Sequence, residues 1–297
     1  MTLHVDGAID LHCHFSEDTL GGRWDPETNE WSPLLLGGVP AHDVVREARE
    51  TGHAAIVLKS HSFASPALVA ALTSTVGGID LYSGICTDQI SGGLNINAVE
   101  AALALGARIV WLPTLHSVQD VEGTNVTGYT GEPVRVTDAD GELVPEVHEI
   151  FALLQQVGGV LATGHISAAD HYAVVREFAS KGKVLVTHAG EQMAGPSLDG
   201  RECRELADLG ATIEFTALTC TEVEGFECKS PQQVATMISE VGPERCTLGT
   251  DYGWAPMIPH PAAGYKSFLE RLWDCGIAEE DIALMAKTNP ARLVDRE

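Results

Sequence analysis

The sequence predicts a (β/α)8 barrel carrying loop insertions after its first and fourth strands. Three observations point there. Short apolar runs alternate with helix-like stretches along nearly the whole chain. The runs are β-branched and almost continuous in hydrophobicity, as strands buried on both faces read. Histidines gather at the C-terminal ends of these runs, and in a barrel those ends converge on one mouth. A doubly wound open sheet is the competing arrangement. At 297 residues and 44% hydrophobic, the chain is long enough to bury a large core, read here as one domain over 1–297.

Taken in order, the strand runs are 8–14, 54–61, 79–87, 108–116, 159–165, 183–190, 211–218 and 245–251. Helical patterns lie between them at 42–52, 97–107, 145–159, 168–182, 200–210, 231–242 and 263–276. Several end on a glycine just past the last periodic residue, a common helix stop. Residues 16–40, rich in Gly, Pro and Trp, follow the first strand. Residues 117–144 follow the fourth and contain VRVTDADGELV, whose DADG predicts a turn between two short strands. Both insertions leave the functional face, where lids and pocket walls form.

Charge and cysteine usage exclude several classes. Acidic residues outnumber basic ones 42 to 18, for a net charge of −24, which repels phosphate backbones and anionic membranes. The seven cysteines are scattered and contain no C-x-x-C, so neither a disulfide framework nor a zinc finger is expected. No signal peptide or membrane-length apolar run is read in the chain. A cytoplasmic protein with a small-molecule substrate is expected, while association into homo-oligomers stays open.

Six of the twelve histidines end strand runs: His12, His14, His61, His116, His165 and His188. Asp251 ends the last. His12 and His14, two residues apart, share a face by strand alternation. Imidazole and carboxylate together suit zinc, manganese or iron. One such histidine means little, but six on one rim, with an aspartate, indicate a metal site. No G-x-S-x-G elbow supports a serine hydrolase.

This order of residues resembles the amidohydrolase superfamily: HCH after strand one, His165 after strand five, His188 after strand six, Asp251 after strand eight, and the tail NPAR at 289–292. The resemblance implies a metal-dependent hydrolase with a distorted (β/α)8 barrel, holding one or two divalent ions, zinc first, with manganese or iron as alternatives. His12, His14 and Asp251 would hold the first ion, and His165 and His188 would hold a second, or one of them would help a single metal. Asp251 would take a proton from the attacking water and return it to the leaving group. The scissile bond would be an amide, lactam, ester or lactone.

One departure stands out. Members with two metals often place a bridging lysine or glutamate after strand four, where this chain has Thr114 and His116. Strand two instead supplies Lys59, on a common face with His61. Lys59 reads as a carboxylated bridge, as a cation holding a substrate anion, or as a plain strand end. His61 and His116 read as ligands, substrate contacts or outer hydrogen-bond partners, with His116 also a catalytic candidate. Trp24 and Tyr252 read as pocket walls. A single-metal decarboxylase of an aromatic or unsaturated acid is the alternative enzyme. A barrel that binds without turnover is the non-catalytic one, and Asp251 argues against it.

Overall fold

A computed structural model describes residues 6–25, 27–35, 37–255 and 259–296, with the backbone alone over 20–25 and 30–35. The strands are β1 (Ile9–Cys13), β2 (Thr19–Asp25), β3 (Glu30–Leu35), β4 (Ala55–Leu58), β5 (Asp80–Cys86), β6 (Ile109–Trp111), β7 (Val160–Ala162), β8 (Lys183–Val186), β9 (Thr212–Thr216) and β10 (Cys246–Gly249). Eight of them form one parallel sheet in the order β1-β4-β5-β6-β7-β8-β9-β10. The two ends approach through a parallel bridge between Cys13 and Tyr252 and through hydrogen bonds from Asp251 N to His12 O (2.8 Å) and from His14 N to Tyr252 O (2.8 Å). The fold is the (β/α)8 barrel.

Helices α1 (Ala41–Glu50), α2 (Pro66–Thr75), α3 (Ile96–Ala104), α4 (Val118–Glu122), α5 (Pro145–Val157), α6 (Ala168–Phe178), α7 (Gly200–Asp208), α8 (Pro231–Val241), α9 (Pro261–Asp274), α10 (Glu279–Ala283) and α11 (Asn289–Leu293) complete it. Alternation along the strands divides the core. Val110, Leu161 and Val184 pack outward on helix residues such as Ile150, Phe151 and Val174. Their neighbours Ile109, Trp111, Val160, Ala162 and Leu185 form a separate cluster on the barrel side, with Leu293 and Val294 of the tail packed into it.

Local differences from expectation have physical reasons. The segment around DADG forms one antiparallel bridge, Thr137 to Leu143, rather than two strands, with Asp138 N donating to Glu142 O at 2.9 Å. The first insertion folds as the β2–β3 antiparallel hairpin, with Trp24 opposite Trp31. α2 was not among the expected helices, because PALVAALTST is apolar on most faces and shows no polar stripe. Between Asp10 and Cys13 the β1–β4 register slips: three steps on β1 match two on β4. Such a bulge re-aims a side chain locally, so strict alternation does not by itself account for how His12 and His14 point.

All seven cysteines are unpaired thiols. Among the described residues no helix is long and apolar enough to cross a membrane.

Candidate metal centre

Five imidazoles close a ring above the barrel interior. Their centroids are separated by 5.3 Å (His12–His14), 4.7 Å (His14–His61), 6.2 Å (His61–His165), 4.7 Å (His165–His188) and 5.7 Å (His188–His12). All five are buried. His12 lies over the indole of Trp111, 6.2 Å between rings, so the apolar barrel core forms the floor.

Asp251 sits against this ring. Its Oδ1 lies 3.1 Å from His12 Nε2 and 3.0 Å from His14 Nε2. One ligand atom from each of the three falls within 4.8 Å of the others. Asp10 fastens the two strands that bring them together: its Oδ1 accepts from His12 N (2.9 Å) and Thr250 N (3.1 Å), and its Oδ2 from Thr250 Oγ1 (2.5 Å). Asp251 and His188 both hold positive φ, +59° and +28°. Non-glycine residues adopt that region rarely, and when they do it is often at sites.

Outer carboxylates set the ring tautomers. His12 Nδ1 donates to Glu214 Oε2 at 2.9 Å. His165 Nδ1 donates to Asp120 Oδ2 at 2.6 Å, and Asp120 Oδ1 accepts from Gly195 N at 2.9 Å. Thr114 Oγ1 donates to Asp88 Oδ2, so it must accept the 2.8 Å bond from His61 Nδ1. In all three histidines the Nδ1 proton is spent outward and Nε2 is left for the centre. This is how protein carboxylates orient metal-binding imidazoles. His188 Nε2 and His14 Nδ1 are buried without a hydrogen-bond partner. An orphaned imidazole nitrogen in this ring fits a ligand awaiting its ion.

The electrostatics agree. Burial alone would lower the His12 pKa, but Asp251 and Glu214 outweigh burial and Lys59 and raise it to about 9. Two carboxylates around one imidazole thus draw positive charge into the centre. Burial lowers His14 to about 3 and drives His165 and His188 well below the usual histidine range. Burial would raise Asp251, yet His12 and His14 hold it well below the usual carboxylate range. The donor set therefore fits a divalent ion: His14, His165 and His188 are held neutral beside an ionised carboxylate, and the carboxylates around His12 favour a cation there.

Lys59 is buried, its Nζ 2.9 Å from His12 Nε2 and 5.6 Å from the Trp111 ring centroid. Its charge depresses His14, His165 and His188 and opposes the rise at His12. It therefore stands among the ring residues. The structure separates the remaining candidates. His116 lies outside the ring, edge-on to Tyr129 with centroids 4.3 Å apart, and its N–H donates to Asp88 Oδ1 at 2.9 Å. The Tyr252 hydroxyl turns to Thr221 Oγ1, 2.5 Å away, while Trp254 lines the cavity in its stead. The side chain of Trp24 lies outside the described residues.

Four outer acids, Asp10, Asp88, Asp120 and Glu214, were not singled out from sequence. Glu214 left one signal, a carboxylate inside the apolar run ATIEFTAL. Asp18 also escaped notice. It accepts from His61 N (2.7 Å) and Ser60 Oγ (2.8 Å) and so fixes the turn after β4.

A cavity of about 250 Å³ opens over the ring, with His14, His61, His165 and Asp251 at its base. Residues 7–214 match DUF6282, a family of unknown function. The chain belongs to DUF6282. No curated protein matches. The DUF6282 barrel is similar in fold to several solved structures. One is an amidohydrolase from Pseudomonas aeruginosa, 15% identical, covering 99% of this chain and 97% of that one at TM-score 0.62. Another is an organophosphorus hydrolase from Deinococcus radiodurans, 17% identical, covering 99% and 94% at TM-score 0.62. A third is a 2,6-dihydroxybenzoate decarboxylase from Rhizobium, 11% identical, covering 98% and 99% at TM-score 0.60.

Proposed function

We propose that this DUF6282 chain is a metal-dependent hydrolase of a small molecule bearing an ester, lactone, amide or lactam. The observation that carries the reading is the buried convergence of His12 and His14 on one Asp251 oxygen, at 3.1 and 3.0 Å, at the base of an open cavity. The amidohydrolase and organophosphorus hydrolase of like fold support it.

His12, His14 and Asp251 would hold a first divalent ion, zinc by preference. His165 and His188 would hold a second. A bound divalent ion polarises a carbonyl and makes a nearby water acidic at neutral pH. The protein's own groups do the rest. Asp251, ionised at neutral pH, accepts the proton of the attacking water and returns it to the leaving group. Asp120, Glu214 and Asp88 keep the imidazoles in one tautomer through the cycle. Lys59, standing among the ring histidines, would lose its ammonium proton and add CO2 to give a carbamate and a second proton, and that carbamate would help hold the ions.

The test pairs elemental analysis with turnover. Close to two ions per chain, a native mass increase of one CO2, and hydrolysis of 4-nitrophenyl acetate or γ-butyrolactone are expected. Asp251→Asn should lower kcat by about 10²–10⁴-fold while the circular dichroism spectrum stays unchanged. One ion per chain, CO2 release from dihydroxybenzoates and no ester turnover would replace this reading with the decarboxylase one.

A further inference from the structure

We propose that the group of the substrate lying outside the reacting centre is an uncharged, apolar chain seated in the mouth of the cavity; which bond is cleaved at its head rests on the hydrolase reading above. The base of the cavity is polar, but its walls are not. Leu115 and Val126 come from the insertion after β6, Met193 from the loop after β8, Val223 and Phe226 from the loop after β9, and Trp254 from the loop after β10. Four separate loops thus each turn an apolar side chain to one space. Val126, 42% exposed, continues this apolar lining out to the surface, and it is such contiguous apolar surface that marks a ligand-binding groove.

Charge selects the kind of chain. Among the described residues lining this cavity, none is Lys or Arg. The loop carrying Val223 and Phe226 alternates them with Glu222, Glu224 and Glu227, all exposed and none of them lining the cavity. A carboxylate or phosphate at the far end of the substrate would meet an acidic rim and an apolar wall, losing its hydration with no cation to replace it. An ammonium group would be drawn by the acidic rim but must still leave water for the same apolar walls, where no carboxylate lines the mouth. An alkyl or acyl chain loses nothing polar and gains burial. At about 250 Å³ the space lies just below the ~300–1,000 Å³ of typical ligand sites, so the chain is short.

Binding to the purified protein tests this without requiring turnover. The probes are acetamide, octanamide, and octanamide whose far end bears a carboxylate or an ammonium, each titrated calorimetrically. Each buried methylene strengthens binding about fourfold. Octanamide should therefore bind at least about tenfold more tightly than acetamide and than either charged-end probe. Phe226→Asp, at the partly exposed mouth, should remove most of that preference while acetamide binding stays within about twofold of wild type. Equal binding of acetamide and octanamide, or preference for a charged end, would overturn the proposal. Failure of the zinc-loaded protein to cleave 4-nitrophenyl acetate, with the octanamide preference intact, would instead overturn the hydrolase reading and leave this one standing.

Discussion

In Glu214→Gln, the oxygen that accepts from both the His12 ring (2.9 Å) and the His188 backbone N–H (3.1 Å) loses its negative charge at nearly unchanged size. The amide oxygen, in the same position, still accepts from both donors. It no longer balances the positive charge that His12 would share with an ion. Outer carboxylates of this kind are worth about 10–100-fold in metal affinity, so zinc affinity in a chelator competition should fall by that range while the fold persists. An unchanged affinity would mean that Glu214 only packs. At this scale most of the converging side chains were legible and the carboxylates behind them were not. His12, His14, His165, His188 and Asp251 each end a strand run, and a local pattern places them. Glu214 meets His12 across 202 residues of chain, and Asp120 meets His165 from a short helix inside an insertion. No local periodicity encodes those pairings. His61 was legible as a strand end, but its place between His14 and His165 follows only from barrel closure. His116 carries the same strand-end signal and falls outside the ring, because Thr114 and His116 are both anchored by backbone to Asp88.

Elements were most legible where burial on both faces made them uniform, and least where a single residue broke the pattern. Parallel strands read as apolar runs, so all eight barrel strands were visible. The β1 bulge, which leaves no mark in IDLHC, was not. The NPAR tail was noted for its likeness, and its structural use is plain: Asn289 Nδ2 donates to Cys246 O (2.7 Å) and Pro243 O (2.9 Å), pinning the tail to the start of β10. Asp251 follows the other end of that strand, so Asn289 belongs to the barrel floor. Gly164 shows how an element end serves the centre. It precedes His165 at φ +63°, and a Cβ there would lie 2.2 Å from Leu112 O. Gly164→Ala should therefore cost at least ~2–3 kcal/mol, combining left-handed strain with a backbone clash. Gly141→Ala is the control, because Gly141 has φ +82° but open space around it. It should cost only ~1 kcal/mol in denaturant unfolding. Equal losses would show that the β6–β7 approach yields without cost and that strain alone matters at His165.

For the molecule as a whole, buried neutral histidines make the fold acid-sensitive in a stated window. Burial lowers His171 to about 4, with the 2.9 Å bond from Nδ1 to Ser167 O and the nearby Asp170 offsetting part of that. Unfolded histidine titrates near 6.5. At neutral pH both states are uncharged. Below about 6.5 the unfolded chain takes a proton that the folded one refuses until about 4, so stability falls as pH falls across that window. His14, His165 and His188 act with the same sign, and His12, raised to about 9, acts above 6.5 with the opposite sign. These four would also bind metal, so acid would strip any ion and blur their contribution. The net charge of −24 adds a countertrend, since protonating surface carboxylates relieves repulsion. His171 lies on α6, outside the histidine ring, and separates the effects. Replacing it by leucine leaves the histidine ring and the surface charge alone. Wild type should lose about 2 kcal/mol more than His171→Leu between neutral pH and about pH 5, because 1.5 pH units below the unfolded value each carry about 1.36 kcal/mol. Thermal melts of both proteins across that range, compared by slope rather than by absolute Tm, read this difference. Parallel slopes would mean that His171 takes up its proton in the folded state and that burial on α6 does not hold it neutral.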